Sequence, residues 1–346
     1  MLDLPLDKID SYGMYKIYDE WPQIARKSYE AGIAEVDFKD ITHIVFAGMG
    51  GSGALHDVFA AILSKTNVHV SVVKGYHLPS TVNSQTLVVT TSISGNTVET
   101  LSVLDSAKKA DCKIVAFSSE GRMKNFCLEN RIEHRDIPVY LSPRSSFVSF
   151  MYSMLKVLSP VIPVKKTDIL ESIRDMENMQ QKISSRNLSL NNPALELAKW
   201  LVGIPVIYYP WGLQAAAIRF KNALQENAKM HAIAEDVIEA SHNGMVAWEK
   251  QSIVRPVLIR GQDDYAKTKE RWDVIKEYFE NKNIEYKEIF SVSGSILSKL
   301  MNLIYLFDYA TIYRSVISGI DPTPVSAIDR KSTRLNSSHM SESRMP

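Results

Sequence analysis

The 346-residue chain holds only two cysteines, Cys112 and Cys127. They cannot build a disulfide framework, and they stand in no CxxC pair and near no histidine at metal-ligand spacing. A structural zinc motif is thereby excluded, no metal is expected, and a reducing cytoplasm is the expected setting. Nor does any window approach the roughly 20 unbroken apolar residues of a membrane span. The opening residues, MLDLPLDKIDSYG, mix acids with apolar side chains and lack the basic stretch and apolar core of a secretory signal. Net charge is missing too: 40 Lys and Arg stand against 39 Asp and Glu, a formal +1. With no global field to draw in nucleic acid or anionic lipid, any bound anion must be held by a local site, and a small molecule is the expected partner. What is present is 45% hydrophobic and 23% charged residues, an ordinary folded composition over a length that suits about two domains.

After a helical lead-in over about residues 11–32, short runs rich in Val and Ile alternate with helical patterns. THIVFAG (42–48), NVHVSVV (67–73), TLVVTT (86–91) and CKIVAFS (112–118) have the unbroken apolar character of strands buried on both faces of a parallel sheet. GALHDVFAAILSK and NTVETLSVLDSAKKA between them read as amphipathic helices. Strict alternation implies a doubly wound α/β domain. Prolines and charges cluster in LSPVIPVKKTD (158–168), which sets the expected boundary between a first domain over 1–158 and a second over 159–328. The second half repeats the pattern, with strands at 203–210, 253–261 and 284–292, helices over about 213–230 and 265–281, and the long apolar helix SKLMNLIYLFDYATIYRSVI. That helix suits either an internal core or a subunit interface.

Two stretches carry chemistry. Gly48-Met49-Gly50-Gly51-Ser52-Gly53 follows the first strand and matches the dinucleotide pattern GxGxxG. A nicotinamide site also wants an acid at the end of the second strand, and Val73-Lys74-Gly75 stands there instead. The glycines either let backbone amides approach some other anion at the helix start, or simply make a tight turn. The second stretch, Thr91-Ser92-Ile93-Ser94-Gly95-Asn96-Thr97-Val98-Glu99-Thr100, ends the third strand and opens its helix. Hydroxyls of Ser92, Ser94 and Thr97 with helix N-terminal amides form a neutral cradle for a phosphate monoester; a bare helix cap accounts for one serine but not the whole run.

GMGGSG with SISGNTVETL resembles the sugar isomerase (SIS) domain, a phosphosugar-binding α/β unit with a five-stranded parallel sheet. Further on, Lys221-Asn222-Ala223-Leu224-Gln225-Glu226-Asn227-Ala228-Lys229, then Ser241-His242-Asn243-Gly244-Met245-Val246-Ala247-Trp248-Glu249, and the terminal Gly319-Ile320-Asp321-Pro322-Thr323-Pro324-Val325 resemble motifs of the bifunctional phosphoglucose/phosphomannose isomerases, as does Pro143-Arg144. The resemblance spans nearly all of residues 1–328 and implies two SIS-type doubly wound units. It also implies interconversion of glucose 6-phosphate and mannose 6-phosphate with fructose 6-phosphate through an enediolate, by acid/base chemistry that uses no cofactor. Gly50, Gly51, Ser52, Ser92, Ser94 and Thr97 would bind the phosphate. Glu226 would be the base, His242 the ring-opening acid/base, Arg144 the enediolate stabiliser, and Thr323 a lining of the sugar pocket. Without their motifs these would read as a solvated helix face, a loop cap and a surface ion pair. The resemblance further implies a homodimer in which the base and histidine of one site come from different subunits.

Departures are few. Gly244 stands where relatives commonly carry Glu, which removes a carboxylate beside His242, and Ile93 replaces a frequent Tyr at a position expected to pack. Residues 329–346 have no apolar periodicity and read like a translated sequencing-library adaptor, so a family lysine just past DPTPV has only Lys331 near its position. Impaired turnover is the expected consequence. The alternative function is a non-catalytic SIS module that senses a sugar phosphate, though nothing basic that would suit a DNA-binding helix precedes residue 40. A different SIS enzyme would lack the ENAK and HNxxxxWE pair.

Overall fold

The computed structural model describes residues 4–328; the adaptor-like stretch 329–346, with Lys331, lies outside the described residues. Three helices come first, α1 (Leu6–Ile9), α2 (Met14–Asp19) and α3 (Trp21–Glu30), the last two within the expected helical lead-in. Glu20 closes α2, its N–H on the Ile17 carbonyl. Pro22 sits in the first turn of α3, where its missing N–H is no loss.

The chain divides into two compact units. Of the described residues, one holds 23–164 and 324–328, the other 4–22 and 165–323. The break at Val164/Lys165 falls inside the proline- and lysine-rich stretch, a few residues past the expected boundary. The first 22 residues join the second unit because their aromatic side chains belong to its core. Tyr18 stacks on Trp21 at 4.4 Å, Trp21 on Tyr305 at 5.6 Å, and the Tyr305 hydroxyl donates to the Tyr18 carbonyl at 2.8 Å.

The first unit contains β1 (His43–Ala47), α4 (Gly50–Leu63), β2 (His69–Val73), β3 (Thr86–Thr91), α5 (Val98–Lys109), β4 (Lys113–Ser118), α6 (Arg122–Asn130), β5 (Glu133–Asp136) and α7 (Phe147–Val157). Its five strands are parallel in the order β2-β1-β3-β4-β5. The central β1 and β3 are buried along their whole length, as their apolar runs require. β5, with the sequence EHRD, is an edge strand that no hydrophobic run announces. The strand order reverses between β1 and β3, so the crevice outside their carboxyl ends is the ligand position of a doubly wound sheet.

The second unit adds α8 (Lys166–Ile183), α9 (Pro193–Trp200), β6 (Ile204–Tyr209), α10 (Gln214–Glu226), β7 (Ile233–Asp236), α11 (Val237–Ala240), a 3₁₀ turn over Gly244–Glu249, β8 (Val254–Arg260), α12 (Ala266–Asn281), β9 (Lys287–Phe290) and α13 (Ile296–Ile317). Its sheet has four parallel strands among the described residues, β7-β6-β8-β9, one fewer than the SIS resemblance implies. The apolar helix is a core helix. α13 buries 18 of its 22 residues and packs on α2, α8, α9 and α10. Among the described residues no helix is long and apolar enough to cross a membrane.

Polar side chains on so buried a helix need partners. Asp308 takes a bidentate guanidinium from Arg219 of α10, Nη2 at 2.6 Å and Nε at 3.1 Å, and the Tyr18 hydroxyl at 3.3 Å. Both partners are nearly closed to solvent. Removing one of them takes the main counter-ion from a buried charge, so Arg219→Met or Asp308→Leu alone is expected to destabilise the unit by about 3–5 kcal/mol in urea unfolding. The double variant, which removes both charges, should recover most of that loss; a double variant as unstable as the worse single would contradict this account.

Candidate active site

At the strand-order reversal of the first sheet, two helices begin without side-chain caps. Met49 precedes α4 and Thr97 precedes α5, both extended, and neither side chain bonds to the helix amides. Amide dipoles at two helix starts therefore face the same crevice, an arrangement that favours an anion. The two loops are close: a Cβ on Gly48 would lie 2.8 Å from the Thr91 carbonyl. Gly50, with φ +55°, and Gly51 begin α4, and Ser52 is buried one residue on. In the other loop Ser92 is buried, Thr97 half-buried and Ser94 exposed. The Ser92 hydroxyl donates to Thr97 Oγ1 at 2.9 Å, and the Thr97 amide reaches Ser92 Oγ at 3.4 Å. All six residues assigned to phosphate binding thus gather at the carboxyl ends of two adjacent strands, and Ile93 packs inward as expected.

The serine loop is braced by a neighbour that no motif announced. Gly95 has φ +69°, and a Cβ there would fall 1.6 Å from the Glu120 carbonyl oxygen, so only glycine fits. Asn96 accepts from the Arg122 amide at 3.1 Å, the Met123 amide donates to the Gly95 carbonyl at 2.9 Å, and Ser119 Oγ donates to the Ile93 carbonyl at 2.8 Å. On the other side, Lys74 at the end of β2 pairs with Asp57 at 2.6 Å while its stem crosses Gly53. A cation therefore occupies the place where a dinucleotide fold would carry its ribose-binding acid.

Arg144 belongs to the same unit and is buried, 6% exposed, so it is no surface ion-pair residue. The turn that carries it is knotted by serines: the Tyr140 amide donates to Ser146 Oγ at 2.8 Å, and Ser146 Oγ donates to the Ser142 carbonyl at 2.7 Å.

In the second unit Glu226 is the last residue of α10, half-buried. Three contacts fix that helix end. Arg219, two turns earlier on the same face, is held by Asp308; Asn227 is buried and donates to Thr311 Oγ1 of α13 at 2.8 Å; Lys229 takes φ +55° and turns its ammonium back onto the Glu226 carbonyl at 2.6 Å. The same ammonium reaches the Pro322 carbonyl at 3.2 Å, so the ENAK and DPTPV motifs meet on one lysine. The Asp321 carboxylate accepts from the Thr323 amide at 2.9 Å and from Ser11 Oγ at 2.5 Å, which shapes the turn around Thr323.

His242 is exposed on the turn after α11, its amide on the Glu239 carbonyl at 2.9 Å. The carboxylate lost at Gly244 is partly replaced by neighbours. Glu235 of β7 stands where a Cβ on Gly244 would come within 2.7 Å of its oxygen, and burial, then Glu239, push its carboxyl above the usual range. Asn243 donates to Glu239 Oε1 at 3.0 Å. Glu226 and His242 are not brought together in one unit: α10 runs back antiparallel to the strands and leaves Glu226 at the amino edge of β7, whereas His242 follows its carboxyl edge.

Residues 190–335 match the bacterial phospho-glucose isomerase C-terminal SIS domain, the last of them reaching into the stretch beyond the described residues. The bifunctional phosphoglucose/phosphomannose isomerase of Caldicellulosiruptor bescii is 31% identical over 332 residues, 91% of this chain and 97% of that protein. The chain belongs to the bifunctional phosphoglucose/phosphomannose isomerase family. The same-named protein of Aquifex aeolicus is 30% identical over 92% of this chain and 94% of its own length. Among solved structures, a hypothetical protein from Thermus thermophilus shares the fold, with a TM-score of 0.73 at 14% identity over 96% of this chain and 94% of that one.

His56, buried beneath the glycine turn, was not singled out by any motif. Burial, then nearby Lys74, pushes its imidazole from 6.5 down to about 3. Between those values the unfolded chain binds a proton that the fold refuses, so stability is full above pH 6.5 and falls as the pH drops, by up to about 1.4 kcal/mol per pH unit. His43 and His134 are lowered by burial in the same sense. Urea midpoints at pH 7, 6 and 5 should therefore decline for the parent and decline less steeply for His56→Phe; parallel declines would assign the acid sensitivity elsewhere.

Proposed function

We propose that the chain is a phosphosugar isomerase that interconverts glucose 6-phosphate and mannose 6-phosphate with fructose 6-phosphate, acting as a homodimer in the cytoplasm. The observation that carries this reading is the meeting of two uncapped helix N-termini at one strand-order reversal, lined by Ser52, Ser92, Ser94 and Thr97, in a chain whose relatives bear that isomerase name. Gly50 and Gly51 contribute backbone donors to the same phosphate. Neutral donors hold a dianion firmly enough to orient it and weakly enough to release it.

Moving a proton between C2 and C1 needs a carboxylate above both carbons, an acid/base for ring opening and donors around the developing oxyanion. Glu226 is the base, His242 opens the ring, and Arg144 stabilises the enediolate with a buried guanidinium. Thr323 lines the sugar pocket, and Lys229 keeps its turn in register with the base. The proton shuttle draws on no cofactor. Because Glu226 and His242 stand at opposite edges of β7, a complete site takes one from each of two copies. The family resemblance implies an active-site lysine just past DPTPV, and in this chain only Lys331 stands near that position.

Glu226→Gln keeps the shape of the base and loses its basicity. It should abolish exchange of the C2 proton with solvent, by about 10²–10⁴-fold, while fructose 6-phosphate still binds. Mixing Glu226→Gln with His242→Ala should restore part of the turnover through hybrid dimers that carry one intact site; two inactive variants that stay inactive when mixed and re-dimerised would count against the shared site. A protein that binds sugar phosphate with no turnover in any form would favour the regulatory alternative. Exchanging residues 329–346 for a relative's C-terminal helix should raise kcat, and an unchanged kcat would remove the tail from the account.

A further inference from the structure

His56 stands one turn after Ser52 on α4 and is closed to solvent. Its ring lies 5.3 Å from that of Phe46 on β1. Nε2 is 3.0 Å from Oγ1 of Thr91, the last residue of β3 and the neighbour of Ser92. The Thr91 hydroxyl is itself directed at the sulfur of Met154 on α7, 3.8 Å away. Whichever ring nitrogen carries the proton, Nε2 is committed to Thr91, and the buried Nδ1 finds no hydrogen-bond partner among the described residues. An orphaned buried polar atom carries a desolvation cost that an apolar residue of similar size would avoid. A polar side chain kept here at that cost needs a reason beyond filling space.

Gly48 supplies it. A Cβ at Gly48 would come within 2.8 Å of the imidazole Cε1 and 2.8 Å of the Thr91 carbonyl oxygen. The imidazole edge, the Gly48 backbone and the end of β3 thus form one contact layer directly beneath the point where both loops depart. One loop carries Gly50, Gly51 and Ser52, and the other Ser92, Ser94 and Thr97. β1 and β3 are hydrogen-bonded only as far as the pairing of Ala47 with Thr90. Beyond it, the His56–Thr91 bond is a side-chain tie that continues the strand pairing into the loops.

We propose that His56 is a positioning residue for phosphate recognition, its hydrogen bond to Thr91 locking the glycine turn after β1 to the serine loop after β3 so that both sets of donors face one anion. The proposal rests on the reading of these loops as the phosphate cradle. His56 touches no reacting atom, so its signature lies in binding and leaves the chemical step alone.

The test uses the full chain with His56→Phe, Thr91→Val, the double variant, and Ser94→Ala/Thr97→Ala as a control for the cradle itself. Steady-state kinetics on fructose 6-phosphate, titration with inorganic phosphate and thermal unfolding are the measurements. His56→Phe and Thr91→Val should each raise KM and the phosphate Kd together by about tenfold with kcat within twofold, and the double variant should be no worse than either single, since both remove the same bond. Should His56→Phe fail to fold, Thr91→Val carries the test alone. A lowered melting temperature with KM and Kd at parent values makes His56 a packing residue and overturns the proposal, as do additive losses in the double variant. If the control loses phosphate binding while His56→Phe and Thr91→Val keep it, the positioning role fails and the cradle stands; if the control also binds phosphate normally, the cradle reading falls and the proposal with it.

Discussion

Parallel pairing governs where chemistry can sit in this chain. A strand followed by a parallel strand must send its chain back over the sheet, most often through a crossover helix, so the N-terminus of such a helix lies at the carboxyl edge of the sheet and its C-terminus at the amino edge. Amides that can receive an anion are therefore available at one edge only, and they converge where the strand order reverses. The cradle after β1 and β3 follows from that rule. The same rule sends Glu226, at the C-terminal end of α10, to the edge opposite His242. Two side chains so placed on consecutive βα elements are thus kept apart by the geometry of the fold.

A residue at a helix C-terminus is at the end most prone to fray, and Glu226 is secured against this by long-range contacts. Asn227 bonds to a threonine 84 positions away, Lys229 bridges to a carbonyl 93 positions away, and Arg219 is paired with Asp308 at the centre of α13. α13 can serve as anchor because its polar residues have fixed addresses: Tyr309 donates to Asp19 at 2.7 Å and Tyr313 to the Ile183 carbonyl at 2.7 Å. Buried polar bonds of this kind add little net stability each, yet a shifted register would leave all of them broken. They act mainly as a specification of position.

The central strands β1, β3, β4, β6 and β8 were legible because burial on both faces leaves a run of apolar residues, and the edge strands β2 and β9 because their stretches, NVHVSVV and IEYKEIFSV, interleave apolar and polar residues. β5 and β7, with EHRD and IAED, carry no such run; as edge strands they need none, and their pairing is decided by neighbours distant in sequence. The candidate cradle was visible in the sequence for a related reason. Its hydroxyls and glycines lie within six or seven consecutive positions, so local spacing records them. The brace from Ser119 to Met123, the tie from His56 to Thr91 and the clamp from Lys229 to Pro322 join segments 26 to 93 positions apart. No periodicity relates such residues, and each looks unremarkable in its own window.

The second sheet shows how much of the cradle is sequence and how little is topology. Its order also reverses, between β6 and β8, and glycines follow both strands there, Gly212 with φ +96° and Gly261. Yet the loops bring Trp211, largely exposed, with Asp263 and Asp264 in place of a hydroxyl run. Asp263 is already committed to Lys299 and Asp264 to the Trp272 indole N–H at 3.1 Å. Two carboxylates would repel a phosphate from the very amide dipoles that the fold supplies. The same architecture, used twice, therefore presents a neutral, hydroxyl-lined pair of loops in the first unit and a carboxylate-bearing pair in the second, where Glu226 and His242 stand at the two ends of one short strand.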